Sequence, residues 1–248
     1  MSESSLLAPD EPSAVTVENP AGRGPVLLTA DHAGKRMPRA LDSLGLKEPD
    51  LSRHIAWDIG IAGVAKLLAK AMDSPAVLQT YSRLVIDCNR RPELPAAYPV
   101  ISEATPIPGN QFLTEADKLA RREAIFTPYH NEIARRKAGK IYIALHSFTP
   151  VFLGVSRPMQ VALLFNRNPR LSHHMLALLR REGDLTVAEN DPYALSDETD
   201  YGVPVHAERA GLDYLEIEIR QDLIADERGQ AAWAARLGRL LPAALAAL

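Results

Sequence analysis

Two hydrophobic patterns alternate along the chain. Continuous apolar runs of strand length, such as Val26 to Ala30 and Lys140 to Leu145, are separated by longer stretches whose apolar positions recur at helical spacing. Pro25 to Asp31, bounded by Gly24 and Gly34, reads as a strand buried on both faces of a parallel sheet, with His32 at its C-terminal end. A helix is predicted from about Leu51, capped by Asp50, with Ile55, Ile59 and Leu67 inward and His54 and Asp58 together on one face. Ala76 to Thr80 and Tyr81 to Asp87 read as extended, and the chain must turn at Asn89 to Pro92. Glu93 to Gln111 is too rich in proline for a helix and reads as a long ordered loop able to cover a site. Thr114 should cap a helix to about Lys137, kinked at Pro128. Ile141 to His146 repeats the pattern of a buried strand ending in histidine. A strand near Gln160 to Phe165, a helix near Leu171 to Arg181 and a strand near Leu185 to Ala188 follow. Tyr214 to Arg220 alternates strictly, setting Glu216, Glu218 and Arg220 on one face and Leu215, Ile217 and Ile219 on the other; an Ala/Leu-rich helix from Asp226 closes the chain. Residues 1–23 lack periodicity and read as a flexible leader before one α/β hydrolytic domain, 24–248. Strands alternating with helices and no internal repeat give an α/β class with a mostly parallel sheet.

Composition narrows the chemistry. At 248 residues, 46% apolar and 24% charged with net charge −3, the chain can bury a sizeable core. Its pI of about 6.2 lacks the basic excess of a nucleic-acid-binding domain. No apolar run approaches the ~20 residues of a membrane span. The acidic N-terminus does not read as an export signal, so the expected location is cytoplasmic. Cys88 is the single cysteine, so a metal must be held by histidine and carboxylate.

Parallel α/β sheets bind ligands beyond the carboxyl ends of their strands. His32 and His146 both fall there. One such histidine alone is more often a hydrogen-bonded turn residue, but two at matching strand ends favour a metal site, with Asp58 as third ligand and water as the fourth.

Five short segments, Asp31-His-Ala-Gly34, Trp57-Asp-Ile-Gly60, Ser82 to Arg90, Leu145 to Pro150 and Glu218-Ile-Arg220, together resemble the N-formylglutamate amidohydrolase family over about Pro25 to Leu223. That family is related to the zinc carboxypeptidases and aspartoacylase. The resemblance implies a three-layer mixed, mostly parallel sheet with helices on both faces and a Zn2+-dependent hydrolase cleaving a linear amide. It implies His146-Ser147 at the metal, with Ser147 beside substrate, Asn89-Arg90 for a substrate carboxylate, and Glu218 as the catalytic base in preference to Glu216. Lys35 stands where those relatives carry a glutamate ligand, and an ammonium group cannot ligate, hence the assignment to Asp58. His54, one turn from Asp58 in the predicted helix, is the alternative ligand or a partner that orients one.

Arg83, Asn89, Arg90 and Arg157 form a second constellation able to grip a carboxylate, although surface solvation is the usual fate of arginine. Their substrate would be a small anionic N-acyl amino acid, N-formylglutamate above all. His206, shortly before the Glu218 strand, either orients substrate and assists proton transfer or is structural. The rivals are a metal amidase for another N-acylated acid and an anion-binding module without catalysis. A serine hydrolase is disfavoured because Gly154-Val-Ser-Arg-Pro158 ends in proline where a nucleophile elbow needs glycine.

Overall fold

The computed structural model describes residues 6–248. Its strands are β1 (Val15–Glu18), β2 (Val26–Ala30), β3 (Ala76–Gln79), β4 (Ile101–Ser102), β5 (Thr105–Pro106), β6 (Ile141–Phe148), β7 (Val151–Phe152), β8 (Val155–Ser156), β9 (Val161–Leu164), β10 (Val187–Glu189) and β11 (Tyr214–Arg220). The helices are α1 (Ile61–Ala71), α2 (Glu115–Arg121), α3 (Thr127–Arg136), α4 (Arg170–Glu182) and α5 (Glu227–Leu245). Seven strands form one sheet in the order β1-β3-β2-β6-β11-β9-β10. The central strands β3, β2, β6 and β11 run parallel, so their C-terminal ends share one edge, while β1 pairs antiparallel with β3 and β9 antiparallel with β11.

The sheet is mixed, mostly parallel and covered on both faces. Val26, Leu28, Ile143, Leu145, Ile217 and Ile219 point toward α1, α4 and α5. The opposite face, with Leu27, Tyr142, Ala144 and Leu164, packs under α3 and the segments around 81–98 and 203–207. The strict alternation of β11 therefore has a physical destination: its aliphatic residues fill the first layer, and Glu216 and Glu218 turn to the second.

Three expectations need correction. Within the supposed leader, Val15–Glu18 forms the edge strand β1, paired with β3 from Val15 opposite Gln79 to Glu18 opposite Ala76; four residues at an edge, half-buried, need no long periodic pattern. The leader's first five residues lie outside the described ones. The first helix starts at Ile61, not near Leu51, and only a single 3-10 turn, Asp50–Ser52, precedes it. Gly60 sets that start with φ of +83°, and a Cβ there would sit 2.0 Å from the Ile224 carbonyl oxygen, so a side chain has no room. Tyr81 to Asp87 is a turn rather than a strand, closed by Val85 N donating to Ser82 O at 3.0 Å. The helix capped by Thr114 forms with a full capping box to Asp117, and it accommodates Pro128 by a wide turn over Arg122–Phe126, where the missing proline N–H is not required. Among the described residues no helix is long and apolar enough to cross a membrane.

Candidate active site

The chain brings Asp58 to the sheet edge without a helix. Asp58 N donates to the His32 carbonyl at 2.9 Å, tying the turn before α1 to the end of β2. On the other side Ser147 N donates to Asp58 Oδ2 at 3.1 Å, and Ser147 Oγ donates to the Ile59 carbonyl at 3.0 Å. Asp58 is thereby held between the two strands that carry His32 and His146. His32 Nδ1 lies 3.5 Å from Asp58 Oδ1, and His146 Nδ1 lies 3.0 Å from Asp58 Oδ2. Donor atoms of the three residues fall within 4.8 Å of one another, and all three are buried.

Two imidazoles and a carboxylate converging on one point suit a divalent cation that prefers nitrogen and oxygen ligands. His32 Nδ1 is buried without a hydrogen-bond partner, as a lone pair reserved for a ligand would be. His32 Nε2 is hydrogen-bonded to Asp87 Oδ1 at 2.8 Å, the carboxylate-imidazole pairing that fixes a ligand ring and its tautomer. Burial opposes charge on both histidines, yet surrounding carboxylates outweigh it: Asp87 and Asp58 raise the pKa of His32, and Glu216 and Asp58 raise that of His146 well above the usual range. Asp58 moves the opposite way, burial notwithstanding, because both imidazoles favour its anion.

The cavity beside this cluster measures about 360 Å³. Its walls include His32, Asp58, His146 and Glu218, then Arg83, Asn89 and Arg90 on one side, and Leu164, Tyr193 and Leu195 on another. Glu218 sits in register with His146 on β6, while Glu216 pairs with Ala144, one pleat deeper. Both carboxyls are buried. Burial first, then neighbouring carboxylates, pushes Glu218 up to about 7 and Glu216 up to about 8, against the opposing pull of His146. Glu218 Oε2 has no protein partner, so it is available to a proton-bearing ligand.

The proposed carboxylate grip separates into parts. Arg83 commits Nε and Nη2 to Asp87 Oδ2 at 3.0 and 2.6 Å. Asn89 spends its side chain on Asp200 and on the backbone N–H groups of Tyr201 and Gly202. Arg90, which lines the cavity, uses only Nη1, toward Asn89 O at 2.9 Å and Asp200 Oδ1 at 3.4 Å, so Nε and Nη2 have no protein acceptor among the described residues. The tight turn from Ser82 supplies the convergence of Arg83 and Arg90 that a straight strand would deny.

Other predicted residues lie elsewhere. Arg157 is outside the cavity wall: its guanidinium stacks 4.7 Å from the Phe152 ring and donates to Tyr193 Oη at 2.8 Å, so only Tyr193 reaches the site. Ser147 lines the cavity, but its hydroxyl is occupied by Ile59, which makes it a brace for the Asp58 turn. His54 faces Glu103, 3.4 Å from its carboxylate, and does not join the cluster; the missing helix removes the shared face with Asp58. His206 is also away from the cavity, buried in the turn Val203–Ala207 against His130, with His206 Nε2 and His130 Nδ1 2.8 Å apart. Asp200 and Tyr193 line the cavity, and Asp87 bonds His32 and Arg83; the sequence marks the Asn190-Asp-Pro-Tyr193 segment as a turn whose loop could touch ligand, but it singles out neither Asp87 nor Asp200. Asp87 had a usable signal, standing two and three residues before Asn89 and Arg90 at the same turn; Asp200 had none.

The His130–His206 pair carries a pH prediction. His130 Nε2 faces the Cys88 carbonyl at 2.9 Å and must donate, so its Nδ1 accepts from His206. Burial, then Lys137, lowers the His206 pKa from 6.5 to about 4. Above pH 6.5 the ring is neutral folded or unfolded; between 6.5 and 4 the unfolded chain binds the proton first, and about 3 kcal/mol of stability is lost. Urea midpoints should fall across that window, and His206→Gln should flatten the fall. An equally steep decline in His206→Gln would contradict this origin.

Buried, converging histidine and aspartate side chains thus stand beside an unpartnered carboxylate at the C-terminal edge of a mixed α/β sheet. The profile of the N-formylglutamate amidohydrolase family matches residues 24–225, and the chain belongs to that family of amidohydrolases. A crystal structure of a gene product from Agrobacterium tumefaciens is 42% identical, covers 97% of this chain and 98% of its own, and superposes with a TM-score of 0.91. The crystal structure of N-formylglutamate amidohydrolase from Ralstonia eutropha JMP134, 21% identical over 95% of this chain and 98% of its own, shares the fold with a TM-score of 0.69. A search of curated proteins finds no match.

Proposed function

We propose that this protein is a zinc-dependent hydrolase that removes the N-formyl or a similar N-acyl group from an acidic amino acid, with N-formylglutamate, giving glutamate and formate, as the leading substrate. The observation that carries the reading is the convergence of His32, Asp58 and His146 within 4.8 Å, with Glu218 in the same cavity. Those three residues would hold the metal. When bound, a zinc ion lowers the pKa of water from 15.7 to near 7 and polarises a carbonyl oxygen. Glu218, with its pKa near 7, accepts the proton of the attacking water and returns it to the amide nitrogen, which cannot leave readily as an anion.

Arg90 receives the substrate carboxylate through its uncommitted Nε and Nη2, and Arg83 adds charge beside it while remaining paired with Asp87. Losing such a charge-assisted contact costs about 1.5 to 3 kcal/mol, roughly 10- to 150-fold in kcat/KM. Arg90→Ala should therefore lose most of the preference for N-formylglutamate over its neutral amide counterpart. Wild-type protein that treats the two alike, with Arg90→Ala unchanged, would leave a metal amidase without an anion pocket. The direct experiment is a panel of N-formyl and N-acetyl amino acids offered to zinc-loaded protein, with amine release as readout.

A further inference from the structure

His146 has a second polar neighbour that no motif links to it. Its Nε2 is buried without a hydrogen-bond partner, and Asp31 Oδ2, 3.9 Å away, is equally buried and equally unpartnered. The other Asp31 oxygen is occupied, because the Tyr129 hydroxyl of α3 donates to Oδ1. Gly202 closes the back of this corner: a Cβ there would lie 3.2 Å from Asp31 Oδ2 and 3.0 Å from Tyr142 Oη. The carboxylate thus has one oxygen pinned and the other aimed at the imidazole.

Without a metal, His146 Nδ1 donates to Asp58 Oδ2 at 3.0 Å, because an ionised carboxylate only accepts; with Nδ1 ligated, the neutral ring must carry its hydrogen on Nε2. That hydrogen has to be buried facing something. At 3.9 Å the pair is beyond a hydrogen bond, yet both atoms are buried, where the attraction between an N–H and a carboxylate is weakly screened and biases the ring. His32 shows the same plan at shorter range, with Nε2 on Asp87. We propose that Asp31, fixed by Tyr129, is a positioning residue that holds His146 with Nδ1 toward Asp58. This rests on the reading of His146 as a metal ligand. It gives α3, which lies outside the five short segments that carry the resemblance, a part in setting the site.

Two measurements test it: zinc affinity by competition with a chromophoric chelator, and the His146 ring N–H resonance in metal-free protein labelled with 15N-histidine. In Asp31→Asn the amide can turn an N–H toward the ring N–H, so zinc affinity should fall about 10- to 100-fold and the Nε2–H resonance should move or vanish. Tyr129→Phe should shift both in the same direction by less, and it carries the test if Asp31→Asn fails to fold. Tyr142→Phe removes a neighbouring buried hydroxyl that bonds Thr29 instead, and should leave both readouts in place. Wild-type zinc affinity together with an unmoved resonance in Asp31→Asn overturns the proposal. If wild-type protein binds no zinc, the ligand assignment falls, and the resonance still decides whether Asp31 holds the ring.

Discussion

Glu218→Gln is expected to lower turnover about 10²- to 10⁴-fold while leaving fold and metal content intact. The amide keeps the shape and hydrogen-bonding reach of the side chain but can neither take nor return a proton. Nothing in the protein compensates, since Glu218 Oε2 has no partner and Glu216, the other carboxyl on that face, is set one pleat deeper against Ala144. Glu216→Gln should cost far less activity. Stability should move the other way. Because the folded pKa of Glu218 stands near 7 rather than 4.5, the native state resists ionising it, and stability declines as pH rises from about 4.5 toward 7. The glutamine variant escapes that decline and should be at least as stable as wild type at neutral pH. Equal turnover by wild type and Glu218→Gln on a verified substrate would remove Glu218 from the chemistry, and the reverse ranking would move the role to Glu216.

Asp58→Ala should weaken zinc binding by more than the roughly 10- to 100-fold loss typical of outer partners, whereas His54→Ala should bind zinc as wild type does. Asp58 alone presents an oxygen to both Nδ1 atoms, and its removal leaves two buried imidazoles facing each other with ring centroids 5.1 Å apart and no anion between them. His54 is turned to Glu103. The affinities can be read by chelator competition, and retention of full affinity in Asp58→Ala would require a different third ligand.

The parts of the fold legible in the sequence were those whose burial is uniform. Val26–Ala30 and Ile141–Leu145 are apolar on both faces because helices and segments cover both sides of the sheet, and the alternation of β11 separates its carboxylates from its aliphatic face. A histidine at each of two such strand ends pointed to His32 and His146, and the fold brings the two together beside Asp58. The turn carrying Asp58 was misread, since Ile55 and Ile59 imitate helical spacing; the left-handed backbone of Gly60 interrupts any helix there, and the Ile224 carbonyl leaves no space for a side chain at that position. The hairpins β4-β5 and β7-β8, with two residues per strand, are too short to show a period. Arg157 and His206 were chosen for residue type near the right elements, and only tertiary packing shows that aromatic rings and His130 occupy them.

The central claim is metal-dependent hydrolysis at His32, Asp58 and His146. Its most direct test is amine release from N-formylglutamate by protein stripped with a chelator, measured before and after one equivalent of Zn2+. The account predicts no turnover in the stripped protein, recovery with one equivalent, and no recovery in His146→Ala. Full turnover by the stripped protein would contradict it.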